Sequence, residues 1–266
     1  MGQGFIMVRF QTMALAAAFA LTAGSALAST TSFTDTTFNP GDYTLGAFQD
    51  PSVTVNAYGQ TLTGGDPGAG LQGLTSSTGV NLKGVLLTAL NNGFVYDPGA
   101  SGAITSLDFS LDRFSNPTNG GQVSLVGSYS LRLLAAQDGQ LYQATFVFGP
   151  FGQPGGAWNQ LTQNGILATD FTTLDATNFT GSGAPGGLNF GGDAITFGFA
   201  MRSSGAVDAQ GAPSTFDQTS DLRADNFALT VNAAAAVPEP ASWALMIVGL
   251  GAIGGAMRAR RRLVVA

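Results

Sequence analysis

The chain of 266 residues contains no cysteine and no histidine. Each absence removes a class of chemistry. Without imidazole or thiolate, neither a Ser-His-Asp triad nor a Cys-His pair can be assembled. Zinc centres built on those ligands are excluded for the same reason. No disulfide can form, so the chain must draw its stability from its core. Glu239 is the only glutamate and Lys83 the only lysine. Residues 29–236 carry fifteen Asp against Lys83, Arg113, Arg132, Arg202 and Arg223, a formal charge of −10. Phosphate recognition needs a Lys/Arg stripe, so nucleic acid is not an expected partner. An acidic body suits solubility outside the cell and is compatible with a divalent cation such as Ca²⁺.

What is present divides the chain into three. Residues 1–28 combine one positive charge at Arg9, a short apolar run over Met13–Thr22 and small residues at Ala26 and Ala28. That order is a secretory signal peptide, with Ala26 and Ala28 forming the A-x-A site for signal peptidase. Residues 29–236 form the body. Residues 237–262 are a tail: Val237-Pro238-Glu239-Pro240, an apolar run of about 17 residues over Ala241–Met257, and Arg258, Arg260, Arg261 and Arg262. About 17 residues is the short limit for a bilayer span. Trp243 stands at its outer edge, where indole favours the interface, and the Arg cluster should stay cytoplasmic. Pro238 and Pro240 keep the approach to the helix extended. The expected course is export through the inner membrane and transient anchoring with the C-terminus cytoplasmic. The final location is the cell surface or the extracellular space.

Pro238-Glu239-Pro240, Trp243-Ala244, the glycine-containing apolar helix and the closing Arg cluster, in that order, resemble the PEPxxWA variety of the PEP-CTERM sorting signal of Gram-negative bacteria. The resemblance covers roughly the last 30 residues. It implies recognition by an exosortase-like membrane enzyme, removal of the tail, and an association with exopolysaccharide and the biofilm matrix. Leu263-Val-Val-Ala266 after the Arg cluster departs from that pattern.

The body reads as all-β. Asp138-Gly139 is a type I′ turn signal between Ser128–Gln137 and Gln140–Phe148. Closing it pairs Ala135 with Tyr142, Leu133 with Ala144, Leu131 with Phe146 and Tyr129 with Phe148, all on one apolar face. The opposite face carries Ser130, Arg132, Gln143 and Thr145 together with Leu134, Leu141 and Val147. A period of two predicts further strands with Val53, Val55 and Ala57; with Leu107, Phe109 and Leu111; with Ile195, Phe197, Phe199 and Met201; and with Phe227, Leu229 and Val231 facing inward. Asn81–Asn92 is a possible helix interrupted by Gly84. Gly/Pro/Asn clusters at 64–68, 116–121, 149–156 and 181–187 separate the runs. The expected fold is an antiparallel jelly-roll-like β-sandwich, flanked by an N-terminal signal helix and a single C-terminal transmembrane helix. Gly64-Gly-Asp-Pro-Gly-Ala-Gly70 with Leu71-Gln72, and Leu222-Arg-Ala-Asp-Asn-Phe-Ala-Leu229, loosely resemble segments of secreted carbohydrate-binding and laminin-G-like sandwiches.

Candidate sites are few. Trp158, the one Trp of the body, lies among loop-forming residues. Exposed, it would stack on sugar rings; otherwise it caps the core. Asp66 in the Gly-rich loop, a possible ligand-binding residue, and Asp221, Asp225 and Asn226 near the last strand offer oxygens to a cation; the alternative for Asp221 and Asp225 is pairing with Arg223 or Arg202. Asp108 and Asp112 would stand about 13 Å apart on one strand face, too far for a glycosidase pair. No catalytic residue is assigned. The expectation is a non-catalytic exported protein, structural or polysaccharide-binding. The alternatives are an Asp-dependent polysaccharide-active enzyme and an unprocessed membrane-anchored surface protein.

Overall fold

The computed structural model describes residues 28–77, 84–119, 122–123, 129–147, 156–181, 183–204, 217–235, 246–254 and 258. Its strands are β1 (Ser29–Asp35), β2 (Tyr43–Gln49), β3 (Val53–Gly65), β4 (Gly68–Ser77), β5 (Gly84–Tyr96), β6 (Ile104–Asn119), β7 (Gln122–Val123), β8 (Tyr129–Gln137), β9 (Gln140–Val147), β10 (Trp158–Ile166), β11 (Phe171–Leu174), β12 (Ile195–Ser204) and β13 (Gln218–Ala233). They form two sheets in which the strand pairings are antiparallel. Sheet A runs β10-β6-β13-β4-β3, with β1 also on β13 and β7 on β6; sheet B runs β11-β9-β8-β12-β5-β2. The chain passes repeatedly between the two sheets, giving the expected jelly-roll-like sandwich. β1 begins at Ser29, immediately after the predicted cleavage site. Ala28 is exposed, while Ala26 lies outside the described residues.

Inward residues of both sheets make one core. Leu107, Phe109 and Leu111 of β6 face Leu131 and Leu133 of β8 and Phe197 and Phe199 of β12, all at most 2 % exposed. The Asp138-Gly139 hairpin has the anticipated register: Leu131↔Phe146, Leu133↔Ala144 and Ala135↔Tyr142. Both turn residues have positive φ, 53° and 75°, as a type I′ turn requires. The fourth expected pair involves Phe148, which lies outside the described residues.

Several expectations need correction. Residues 84–96 are strand β5, and no helix covers the described part of 81–92. Gly84–Ala89 are buried without a break because both faces of the strand are covered: Val85, Leu87 and Ala89 enter the central core, whereas Leu86 joins a second cluster with Leu134, Leu174, Phe179 and Ala200. A continuous apolar run is where helix and strand periods cannot be told apart. The face of β8 opposite the core is buried as well at Ser130, Arg132 and Leu134, as is Gln143 beside it on β9. β3 carries a bulge between Val55 and Ala57, which turns Ala57 outward and packs Tyr58 against the core. Asn116–Asn119 continue β6 beside β13 instead of forming a loop.

β13 organises sheet A. Its first half pairs with β4 and its second half with β1, while β6 runs along its other edge. The partner changes at a bulge after Asp225, where Asn226 takes a left-handed φ of 51°. One extra residue shifts the alternation. Before it Ser220, Leu222 and Ala224 point inward; after it Phe227, Leu229 and Val231 do.

Residues 246–254 of the tail are helical. Met246, Ile247, Val248, Leu250 and Ile253 are all at least 49 % exposed, so this apolar helix has no cover from the body. Among the described residues no helix is long and apolar enough to cross a membrane.

Candidate site on the outer face of sheet A

Register brings a row of side chains together across five strands. Trp158 of β10 pairs with Phe114 of β6, Phe114 with Arg223 of β13, Arg223 with Gln72 of β4, and Gln72 with Gly59 of β3. Directly opposite residues share a face. This face is the outer one, because neighbouring Leu111, Leu161, Leu222 and Leu71 belong to the core. At standard strand spacing the row is about 19 Å long. Trp158 thus opens a strand on the outer face, and it belongs to neither buried cluster. Loop placement and core capping are both corrected.

The row is held in a fixed shape. The Trp158 and Phe114 ring centroids are 5.6 Å apart with planes tilted by 48°. The Arg223 guanidinium lies 4.9 Å from the Phe114 centroid, a cation–π contact. Arg223 Nη2 donates to Asp221 Oδ2 at 2.6 Å and Nε to both Asp221 oxygens at 3.1 Å, while Gln72 Nε2 donates to Asp221 Oδ1 at 2.9 Å. The ion pair raises the Arg223 pKa. Its side chains are 26 % and 21 % exposed, so the pair is a wet one that fixes geometry more than it adds stability. Aromatic faces beside a planar fork and an amide offer what a saccharide needs: C–H stacking next to hydroxyl partners.

Beside the middle of this row, two positions along β6 and β13 from Phe114 and Arg223, lies a polar corner. Here the two segments singled out in the sequence, the Gly-rich loop and the last strand, meet. Asp66 and Pro67 form the β3–β4 turn, and the Asp66 amide donates to Asp225 Oδ2 at 2.5 Å. Asn226 Nδ2 donates to the Asp66 carbonyl and to Asp112 Oδ2, both at 2.7 Å. The Asn226 amide donates to Asp225 Oδ1 at 2.7 Å. A Cβ at Gly65 would overlap the Ala69 carbonyl and Asp225 Oδ2, so only glycine lets the turn close over that carboxylate. Asp225 is fully buried; burial pushes its pKa up, opposed by the two amides and assisted by the charges of Asp112 and Asp66.

Of the residues expected to hold a cation, Asp221 is engaged by Arg223 and Gln72, and Asp225 by two amides. Asn226 uses its side chain to bridge Asp66 and Asp112. The bridge is what sequence reasoning missed: Asp112 points outward as expected, yet it is only 8 % exposed. Among the described residues, no group of three or more His, Cys, Asp or Glu is placed to hold a metal ion. Asp108 stands apart, accepting from the Gly165 amide and Asn232. Of the sorting residues, Arg258 is helical and exposed. Pro238, Glu239, Pro240, Trp243, Ala244, Arg260, Arg261 and Arg262 lie outside the described residues.

The class is therefore a two-sheet antiparallel sandwich with an open aromatic and polar face and an uncovered apolar tail helix. Residues 236–262 match the PEP-CTERM protein-sorting motif, which indicates export and membrane-associated sorting to the cell surface. No curated protein matches the chain significantly. Among solved structures it is similar to a family 11 carbohydrate-binding module from Clostridium thermocellum in complex with a β-1,3-1,4-mixed-linked tetrasaccharide, at 12 % identity and a TM-score of 0.40, over 79 % of this chain and 98 % of that one. The family 11 module of the cellulosomal cellulase Lic26A-Cel5E of the same organism gives 13 % identity and a TM-score of 0.36, over 70 % and 86 %. TmCBM61 in complex with β-1,4-galactotriose gives 8 % and 0.24, over 73 % and 89 %. The sandwich assignment rests on the strand pairings and does not depend on these likenesses.

Proposed function

We propose that this chain is an exported, non-catalytic surface protein. Signal peptidase removes residues 1–28, the tail engages an exosortase-like membrane enzyme, and the released sandwich binds polysaccharide along the outer face of sheet A. The observation that carries the binding half is the Trp158–Phe114–Arg223–Gln72 row, which is aromatic at one end, polar at the other and long enough to follow a polymer. The tail half is supported by the sorting motif at 236–262 and by the exposed apolar helix at 246–254.

Affinity electrophoresis of the full chain in gels cast with the producing strain's exopolysaccharide tests the binding half. Retardation should be lost in Trp158→Ala and weakened in Phe114→Ala. Equal retardation of wild type and Trp158→Ala would place the binding elsewhere. Intact mass of the mature protein tests the tail: the Arg258–Arg262 cluster should be absent. Depolymerisation of the polysaccharide, abolished by Asp112→Asn, would instead support the enzyme alternative.

A further inference from the structure

A second opening lies where β1 of sheet A approaches β5 of sheet B. On β5, Leu90 pairs with Gly198 of β12 and Val95 with Thr196, so residues 91–94 stand against Phe197 alone. The extra residues bulge away from the ladder. The Gly93 amide donates to Asn91 Oδ1 at 2.9 Å and closes the bulge, while Asn91 is 4 % exposed and pairs with Tyr43 at the start of β2. Phe94 anchors the bulge: its ring centroid lies 5.3 Å from that of Phe33 on β1 and 5.2 Å from that of Phe227 on β13. Asn92 and Gly93 are exposed.

Between this bulge and the corner that joins β1 to β2 is an open cleft of about 560 Å³, bordered by Asn92, Gly93 and Phe94 on one side and by Asp35, Thr37 and Asp42 on the other. That volume is in the range of small-molecule sites. Such sites are usually apolar with a few polar groups; this one is walled mainly by polar residues, which suits a hydroxyl-rich ligand. It also carries charge of one sign, since its lining includes two carboxylates and no Lys or Arg. Asp35 supplies charge alone. Its Oδ1 accepts from the Thr37 amide at 2.7 Å, the Thr37 hydroxyl at 2.9 Å and the Phe38 amide at 3.0 Å, and its Oδ2 from the Tyr43 hydroxyl at 2.9 Å. Burial works against its ionisation, but those donors outweigh burial and hold its pKa below the usual value. Asp42 and Asn92 are exposed and have groups to spare. Asp42 Oδ2 accepts from Asn39 Nδ2 at 3.3 Å and Asn92 Oδ1 from Thr44 Oγ1 at 2.8 Å. Among the described residues, Asp42 Oδ1 is left as an acceptor and Asn92 Nδ2 as a donor.

The cleft thus offers partners for hydroxyls and negative charge with no cation of its own. An acidic sugar is repelled by both carboxylates. A neutral sugar gains only hydrogen bonds, and a sugar bearing an ammonium gains these together with a charge-assisted bond. We infer that the cleft between the β5 bulge and the β1–β2 corner binds a protonated amino sugar, a hexosamine unit without its N-acetyl group, with Asp42 receiving the ammonium, Asp35 adding its charge and Asn92 donating to a sugar hydroxyl. The site shares no residue with the Trp158–Phe114–Arg223–Gln72 row and does not rest on it.

Calorimetric titration of the full chain with chitosan trisaccharide, whose units are glucosamine, and with its N-acetylated counterpart tests the site at about pH 6, where such an amine keeps its proton. The glucosamine trimer should bind about tenfold more tightly than the acetylated one, the gain expected of one charge-assisted bond. Asp42→Asn, which keeps the shape of the side chain, should abolish that preference, and Asn92→Ala should weaken both trimers; both residues are exposed, so Tm should stay at the wild-type value. Trp158→Ala should leave the glucosamine trimer's affinity unchanged, so that failure of the row and failure of the cleft read separately. The inference is overturned if the two trimers bind equally, if neither binds, if Asp42→Asn or Asn92→Ala binds as wild type does, or if Trp158→Ala removes the preference. Trilysine bound as tightly as the glucosamine trimer also overturns it, because the cleft would then take any cation.

Discussion

Replacing Asn226 should destabilise the sandwich in an order set by its backbone and its side chain separately. Its amide nitrogen Nδ2 makes one bond to a carbonyl and one to a carboxylate, both 2.7 Å long, and its φ of 51° lies in the left-handed region. Asn226→Gly keeps the backbone comfortable and loses both bonds. The neutral bond contributes about 1 kcal/mol and the charge-assisted one about 2 kcal/mol. Asp112 Oδ1 already lacks a partner, so the loss strips that nearly buried carboxylate of its remaining donor. Asn226→Ala loses the same bonds and adds about 1 kcal/mol for a Cβ at positive φ. Asn226→Asp tolerates the backbone but sets a third carboxylate against Asp112 and Asp225, so it should be the least stable at neutral pH and recover as the pH falls. At roughly 2–4 °C per kcal/mol for a domain of this size, Asn226→Gly should lower Tm by about 6–12 °C and Asn226→Ala by about 2–4 °C more. Thermal unfolding followed by circular dichroism reads all three. A Gly variant within 2 °C of wild type, or an Ala variant more stable than the Gly variant, would refute the assignment of Asn226 as the residue that holds the bulge.

Asp225 gives a pH signature of opposite sign to ordinary acid unfolding. Because its folded pKa is raised above the usual 3.8, the native state keeps the proton longer than the unfolded chain does. Its contribution is thus present at or below that value and is lost as the pH rises through the raised one. The Tm advantage of wild type over Asp225→Asn should shrink as the pH is raised from about 4 towards neutrality, and a growing advantage would contradict the burial argument. A double-mutant cycle on Trp158→Ala and Phe114→Ala, read as polysaccharide affinity, should show coupling of about 0.5–1.5 kcal/mol; additive losses would mean the rings act independently. Deleting residues 236–266 should leave the body's Tm within about 1 °C while abolishing partition into liposomes, whereas a large fall in Tm would show that the tail packs on the body. Adding Ca²⁺ after EDTA should leave Tm unchanged, since Asp221 and Asp225 already have partners; a saturable rise would show that Asp225 exchanges its amides for a cation.

The parts of the fold legible in the sequence are those in which local chemistry and burial agree. Asp138-Gly139 demands positive φ at both positions, and the flanking alternation allows one register, so the β8–β9 pairing follows from the chain itself. β5 was opaque for the opposite reason. Both of its faces are covered, one by the central core and one by Leu134 and Phe179, so its side chains carry no period for either structure to claim. The bulges at Asn56 and Asn226 shift the alternation by one residue, and a strict period of two therefore misplaces Ala57. At Asn226 a clue existed: Asn is among the few residues that enter the left-handed region readily, and Asp-Asn followed by renewed alternation marks a place where a strand changes phase.

Site residues were legible as chemistry but not as neighbours. Trp158 stands half-buried against Phe114, and Asp221 pairs with Arg223, one of the two arginines open to it. Phe114 and Gln72 carried no signal of their own. They enter the row because β6 lies between β10 and β13, and β4 lies on β13's far edge, pairings between segments from 44 to about 150 residues apart in sequence that no local pattern encodes. The same register sets the remaining arginines of β8 and β12 on the other sheet, away from this row: Arg132 is buried and donates to Gln143, and Arg202 is half-buried opposite Ser130.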